Sequence, residues 1–257
     1  MANRPLSSAA GSVVLARPVR HPLLGPWFLP EAPGPGALAA HVLLSGHGGY
    51  WTSPSAALVH CGSHRALRGD PLTLPPELLA PLGRGQFSAP DRFLPLLGRT
   101  FGTVTPWVRV ICTQQRRPRR RALPPGVRLR PLMPADAARL DALAPDLRWI
   151  TETWGSGRAL VGGGAWGAFV QGRLASVAGG YLRGLVHEDV AVVTVPEFRR
   201  AGLGLLCVQA VSATVHRRGR IPTWTVPRSN EPSRALAAAA GFVPVREEVV
   251  YWVGPAR

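Results

Sequence analysis

Two periods of apolar residues run along the chain and divide it into elements. Near-alternation over short stretches predicts strands at residues 56–62 (AALVHCG), 64–70 (HRALRGD), 107–114 (WVRVICTQ) and 126–132 (GVRLRPL). Helical spacing predicts helices over 36–46, 75–83 (PPELLAPLG), 91–101 (DRFLPLLGRTF) and 133–143; in the last, Pro134 stands near the start and Ala137, Leu140 and Leu143 share a face. Residues 165–182 read as two strands joined by a tight turn at Gln171-Gly172. The next run, HEDVAVVTV (187–195), is mostly branched and apolar, which predicts a central strand. In the following segment Leu203, Leu206, Cys207, Ala210 and Thr214 fall on one helical stripe. A strand at 221–226 (IPTWTV), a helix opened by Asn230 and Pro232 and closed by Gly241, and a last strand over 242–253 complete the pattern.

The stretch from Gln114 to Gly126 interrupts these periods with five arginines around Pro118, followed by Pro124-Pro125-Gly126. Like charges repel and proline denies helix, so this segment is expected to be an exposed linker. It divides the chain into an N-terminal α/β domain at 1–113, a linker at 114–125 and a second domain at 126–257. The alternative is a tether for nucleic acid, but no aromatic residues interleave to stack on bases, and nucleic acid is disfavoured as a partner. The first 35 residues or so are rich in Pro and Gly and are expected to be partly irregular.

The formal charge is +16, and all thirty basic residues are arginine, since the sequence contains no Lys. Arginine forks suit phosphate oxygens, yet charge alone does not separate a nucleic acid from a phosphorylated cofactor. Cys61, Cys112 and Cys207 are odd in number and far apart, so reduced thiols are expected. The cluster His60 to His64 lacks a second ligand group at recognisable spacing, and no metal is expected. No apolar run approaches the roughly 18 to 20 residues that cross a bilayer, so a cytoplasmic protein without a membrane partner is expected.

Chemistry concentrates in TVPEFRRAGLGLL, Thr194 to Leu206. Gly202 and Gly204 let the backbone turn tightly between a strand and a helix and let a ligand approach the amides. The helix's unpaired N–H groups, with Arg199 and Arg200 beside them, form an anion site suited to phosphate. A lone Gly-x-Gly also serves simply as a turn; neither the dinucleotide fingerprint nor a lysine-bearing phosphate loop is present.

Downstream, Asn230 lies eleven residues before Gly241. The two blocks together resemble the GNAT superfamily of acyl-CoA-dependent N-acetyltransferases, whose R/Q-x-x-G-x-G/A motif matches Arg199, Gly202 and Gly204. The later pattern is similar at Asn230, Ser233, Leu236, Gly241 and Phe242, and the resemblance covers roughly Gly126 to Val253. Within the superfamily, Glu188, Thr194, Pro196, Phe198 and Arg199 look most like the glycine N-acyltransferase-like branch and its bacterial relatives.

The resemblance implies an α/β (α+β) fold with a mixed, mostly antiparallel sheet flanked by helices. In that branch the N-terminal part looks like a degenerate copy of the same fold. It also implies acetyl-CoA, or another short acyl-CoA, as co-substrate, with a small-molecule or protein amine as acceptor. The pantetheine arm would pair with Val193, Thr194 and Val195 in a gap between two strands. The diphosphate would sit on Arg199, Arg200, Ala201, Gly202, Leu203 and Gly204. Asn230 and Ser233 would approach the arm or simply cap the next helix. Glu188 is the expected base, the alternative being a solvated residue at a strand end. The superfamily's tyrosine, seven residues after the Asn, is Ala237 here, leaving Tyr181, Ser233, Tyr251 or water as the acid. Trp149, Trp154, Trp166 and Trp224 are expected either to line the acceptor pocket or to fill the core.

Overall fold

The computed structural model describes residues 24–117 and 122–254; the centre of the expected linker and the first 23 residues of the Pro- and Gly-rich opening lie outside the described residues. Among the described residues eleven strands form one sheet: β1 (Gly49–Thr52), β2 (Ala56–Cys61), β3 (His64–Gly69), β4 (Gly85–Ser88), β5 (Val104–Thr113), β6 (Val127–Pro131), β7 (Trp166–Val170), β8 (Arg173–Arg183), β9 (His187–Thr194), β10 (Ile221–Pro227) and β11 (Val243–Val253). The helices are α1 (Gly25–Phe28), α2 (Leu38–Ser45), α3 (Leu94–Phe101), α4 (Ala137–Asp141), α5 (Gly157–Gly162), α6 (Leu203–Arg217) and α7 (Glu231–Ala239).

Spatial order is β1-β2-β3-β4-β11-β5-β10-β9-β8-β7-β6. On one side, β1 to β3 pair antiparallel, β3 and β4 pair parallel, and β4 meets β11 antiparallel. On the other side, β7 to β9 pair antiparallel, β9 and β10 pair parallel, and β10 meets β5 antiparallel. The pattern repeats about the β5–β11 pair, and each half of the chain lends its last strand to the other half's side. The sheet is therefore unbroken across the expected domain boundary.

Local chemistry explains most elements. Gln171 and Gly172 both adopt positive φ, 48° and 77°, as a two-residue hairpin turn requires. β9 is apolar along most of its length because both faces are covered: Ala191 and Val193 join the core beneath α2, and Val190 joins the core beneath α6. Residues 75–83, expected as a helix, instead make two short 3-10 turns, Pro76–Leu78 and Ala80–Leu82, because Pro76 and Pro81 fall inside them. The α6 stripe is also wider than expected. Val208, Val211, Ser212 and Val215 are buried, whereas Ala210 and Thr214 are only partly so, since the helix lies across several strands.

Candidate functional site

β9 and β10 pair only at His187, Glu188 and Asp189 with Ile221, Pro222 and Thr223, then diverge. The opening between them leads into a cavity of about 840 Å³. On its β9 side, Val195 donates its amide to the Ala175 carbonyl at 2.9 Å, so alternation turns the backbone groups of Val192 and Thr194 toward the open side. Of the three residues expected to pair with an arm, Thr194 faces the gap, whereas the backbone of Val193 and Val195 is engaged with β8. Val192 takes their place, and its parity is readable only from the register.

The Gly turn closes one end of the cavity. Arg200 and Gly202 adopt positive φ, 66° and 73°, and α6 starts at Leu203 with no side-chain cap on its first-turn amides. Gly204 is a close approach: a Cβ there would lie 3.2 Å from Thr194 Oγ1 and 3.7 Å from both Val192 and Leu236. Arg199, Arg200, Gly202, Leu203 and Gly204 line the cavity; Ala201 and Val195 do not. Arg199 is steadied by donating from Nε to the Thr194 carbonyl at 3.2 Å. From the far wall, Asn230 caps α7 by accepting from the Ser233 amide at 3.1 Å, and Ser233 Oγ accepts from Trp224 Nε1 at 3.3 Å. Both residues also border the cavity.

The other end is rich in ionisable groups. Here the expected position of Glu188 is corrected. Its carboxylate is fully buried and clasped by Arg218 at 2.9 Å, with Arg183 at 3.5 Å and Arg220 at 3.8 Å, and it does not line the cavity. Strand alternation sends its neighbour, Asp189, to the cavity instead. Asp189 accepts from Thr223 Oγ1 at 2.7 Å and Thr225 Oγ1 at 3.1 Å, which ties β10 to β9 where they part. Burial lifts its pKa to about 6, against the partial opposition of those hydroxyls and of Arg109.

That shift has a testable sign. Asp189 stays protonated in the fold until about pH 6, whereas the unfolded carboxyl ionises near 3.8. Its contribution is fully present below the unfolded value and is lost as pH rises through the folded one, a change of about 3 kcal/mol. An asparagine side chain at this position would accept the same two hydroxyls without ionising. Buried His41 and partly buried His60, each held neutral down to about pH 4, raise stability over the same range, so the sign is read from the difference: between pH 4 and 7 the urea midpoint of the parent protein should lose ground to that of Asp189→Asn, and parallel curves would refute this.

Two further carboxylates line the cavity: Asp146, which is exposed, and Glu152, which caps the 3-10 turn Arg148–Thr151 after α4. Glu152 accepts from Tyr181 OH and, at 2.9 Å, from Ser63 Oγ. Burial, followed by the Glu152 charge, pushes the Tyr181 phenol well above its ordinary range. Trp149 lines the cavity and meets Tyr181 edge-on at 5.6 Å, and Trp224 lines it as well. Trp154 and Trp166 lie elsewhere, donating to the Gly180 carbonyl at 2.7 Å and Thr214 Oγ1 at 3.2 Å. Tyr251 is also remote, bonded to Asp91 at 2.5 Å.

The sequence motifs give no sign of Ser63, His64, Gln86, Trp107 and Arg109, which the first half places in the cavity wall. Among the described residues no three His, Cys, Asp or Glu side chains are grouped to hold a metal, and no helix is long and apolar enough to cross a membrane.

Comparison with known proteins places this geometry. Residues 166–253 match the FR47-like protein family. An N-acetyltransferase of Streptomyces virginiae, described as uncharacterized and located in the mutA 5′ region, is 42% identical over 225 residues, spanning 85% of this chain and 94% of that protein. The crystal structure of a GCN5-related N-acetyltransferase-like protein from Streptococcus suis superposes with a TM-score of 0.66 at 17% identity, covering 82% of this chain and 90% of that one. A tandem GNAT protein from the clavulanic acid biosynthesis pathway gives a TM-score of 0.53 at 15% identity, over 86% and 89% of the two chains. With a divided pair of strands opening on a helix start, and a relative this close over nearly its full length, the chain belongs to the GCN5-related N-acetyltransferase, or GNAT, superfamily.

Proposed function

We propose that the protein is an acyl-CoA-dependent N-acyltransferase that moves an acetyl or short acyl group to a primary amine. The observation that carries this reading is the gap between β9 and β10, which joins an uncapped helix start at one end to a chamber lined by buried Asp189 and partly exposed Glu152 at the other. The backbone of Thr194 and Val192 would hold the pantetheine arm by strand-like pairing. Amides from Gly202 to Gly204, with Arg199 and Arg200, would hold the diphosphate. The closeness of Gly204 to both walls fits this assignment, since even a Cβ would fill the cradle.

Acyl-CoA supplies an activated thioester. This chain's residues have three tasks: to align an amine with it, to remove a proton so that the nitrogen has a lone pair, and to exclude bulk water. The order of residues around Thr194 supports kinship with the glycine N-acyltransferase-like branch. The first half supports the reaction as a wall of the acceptor chamber. In that half, Arg68 donates to the Ser88 carbonyl at 2.9 Å between β3 and β4, and no glycine turn leads from β3 into a long helix, so it offers no second coenzyme cradle.

The test is calorimetric titration with acetyl-CoA, together with thiol release over a panel of amines. Saturable heat and amine-dependent thiol are expected. Heat without thiol release from any amine would leave only a binding module, the reading that the small Ala237 in place of tyrosine favours; no heat at all would remove both readings.

A further inference from the structure

A chain of hydrogen bonds crosses from the second half of the protein into the first at the acceptor end of the cavity. Ser63 Oγ and Tyr181 OH donate to Glu152 Oε1, His64 Nε2 lies 3.0 Å from Tyr181 OH, and Gln86 Nε2 lies 3.1 Å from His64 Nε2. At its end, Arg109 Nη1 donates to Gln86 Oε1 at 2.8 Å. The direction of this chain follows from valence. A guanidinium only donates, so Arg109 turns the Gln86 oxygen toward itself and the Gln86 NH₂ toward His64. His64 Nε2 must then be an acceptor, and its ring proton resides on Nδ1.

With Glu152 ionised, the Tyr181 hydroxyl points at the carboxylate and Gln86 serves the His64 lone pair. If Glu152 gains a proton, its new O–H donates to the Tyr181 oxygen, and the Tyr181 hydroxyl swings to His64 Nε2, taking the single lone pair of that nitrogen from the Gln86 N–H. Both states keep Glu152 and Tyr181 hydrogen-bonded, so uptake of one proton strands no donor or acceptor on either. Glu152 is also better placed than Asp189 to meet an incoming amine: it is partly exposed, whereas Asp189 is buried with one oxygen accepting from two threonines.

We infer that Glu152 is the group that takes the proton from the acceptor ammonium, and that Tyr181 and His64 are positioning residues that accommodate it by reversing one hydroxyl. An N–H bond of the ammonium breaks, an O–H bond forms on Glu152, and the nitrogen keeps its electron pair for attack; the proton then leaves to solvent through the exposed side of the carboxylate. The inference rests on the acyltransferase reading, and it assigns the first half of the chain a share in proton handling through His64.

Three variants and one measurement on the unaltered protein test it. Glu152→Gln should lower kcat by about 100-fold or more, with acetyl-CoA heat unchanged. Tyr181→Phe removes a donor that favours the ionised carboxylate, so the acid limb of the kcat/KM profile should move to higher pH. His64→Leu removes the ring nitrogen that receives the Tyr181 hydroxyl only when Glu152 is protonated, so the limb should move to lower pH. Nitrogen-15 NMR of the coenzyme-free protein should show His64 protonated on Nδ1. A His64 carrying its proton on Nε2, a Glu152→Gln enzyme of undiminished kcat, or limbs that shift in one direction or not at all would overturn the proposal. A parent protein that neither binds acetyl-CoA nor releases thiol would instead strike the acyltransferase reading itself. The Glu152→Gln and NMR arms stand even if the buried His64 substitution prevents folding.

Discussion

Gly204→Val should abolish useful coenzyme A binding while leaving a folded protein. A Cβ at this position would meet three neighbours at the cradle: Thr194 Oγ1 at 3.2 Å, with Leu236 of α7 and Val192 of β9 at 3.7 Å. These neighbours belong to opposite walls of the gap, so the two methyl groups of valine must occupy the space between them. Turning the Thr194 hydroxyl aside gives up one hydrogen bond, with Ser176 Oγ at 2.9 Å, a net cost of about 1 kcal/mol, whereas an arm threading the gap has no other course. Calorimetry should show affinity for acetyl-CoA reduced by about 100-fold or more, equivalent to about 2.7 kcal/mol. Melting temperature should change by no more than about 5 °C. An unaltered affinity would show that the coenzyme lies elsewhere.

Glu188→Gln should have the opposite profile: a large loss of stability and little loss of turnover. Glu188 is wholly buried and shared by Arg183, Arg218 and Arg220, while Arg218 also donates to the Gly163 carbonyl at 2.9 Å. Neutralising the carboxylate leaves three partly buried guanidinium groups without their common counter-charge. Breaking such a cluster from one side costs about 3 to 5 kcal/mol. Turnover by the folded fraction, assayed well below the melting temperature, should remain within about threefold of the parent. A stable variant with collapsed kcat would restore Glu188 to the role of base.

The contrast between Glu188 and its neighbour shows where sequence reading succeeds and where it stops. The dipeptide Glu188-Asp189 stands in the right place, at the point where β9 and β10 part. Which of the two carboxyls faces the cavity depends on strand parity. Along most strands an alternation of apolar and polar residues reveals that parity, but β9 is apolar on both faces and carries no such mark. Val192, rather than Val193 or Val195, turns its backbone to the gap for the same reason. Tyr181 is legible only as one of several possible acids, because its contact with Glu152 spans 29 residues of chain.

By itself the sequence determined what short-range chemistry controls: the strands of the second half and its helices apart from α5, the reverse turn at Gln171-Gly172, the glycine turn ahead of α6 and the Asn230 cap of α7. Each depends on residues within a few positions of one another, where φ preference, capping and apolar period act directly. Only the tertiary structure decided that β5 lies between β10 and β11, that Glu188 anchors arginines, and that His64, Gln86 and Arg109 reach the same chamber as Glu152 and Tyr181. Those outcomes follow from pairing between distant strands, where the free energy comes from burying two surfaces together and neither surface alone records its partner.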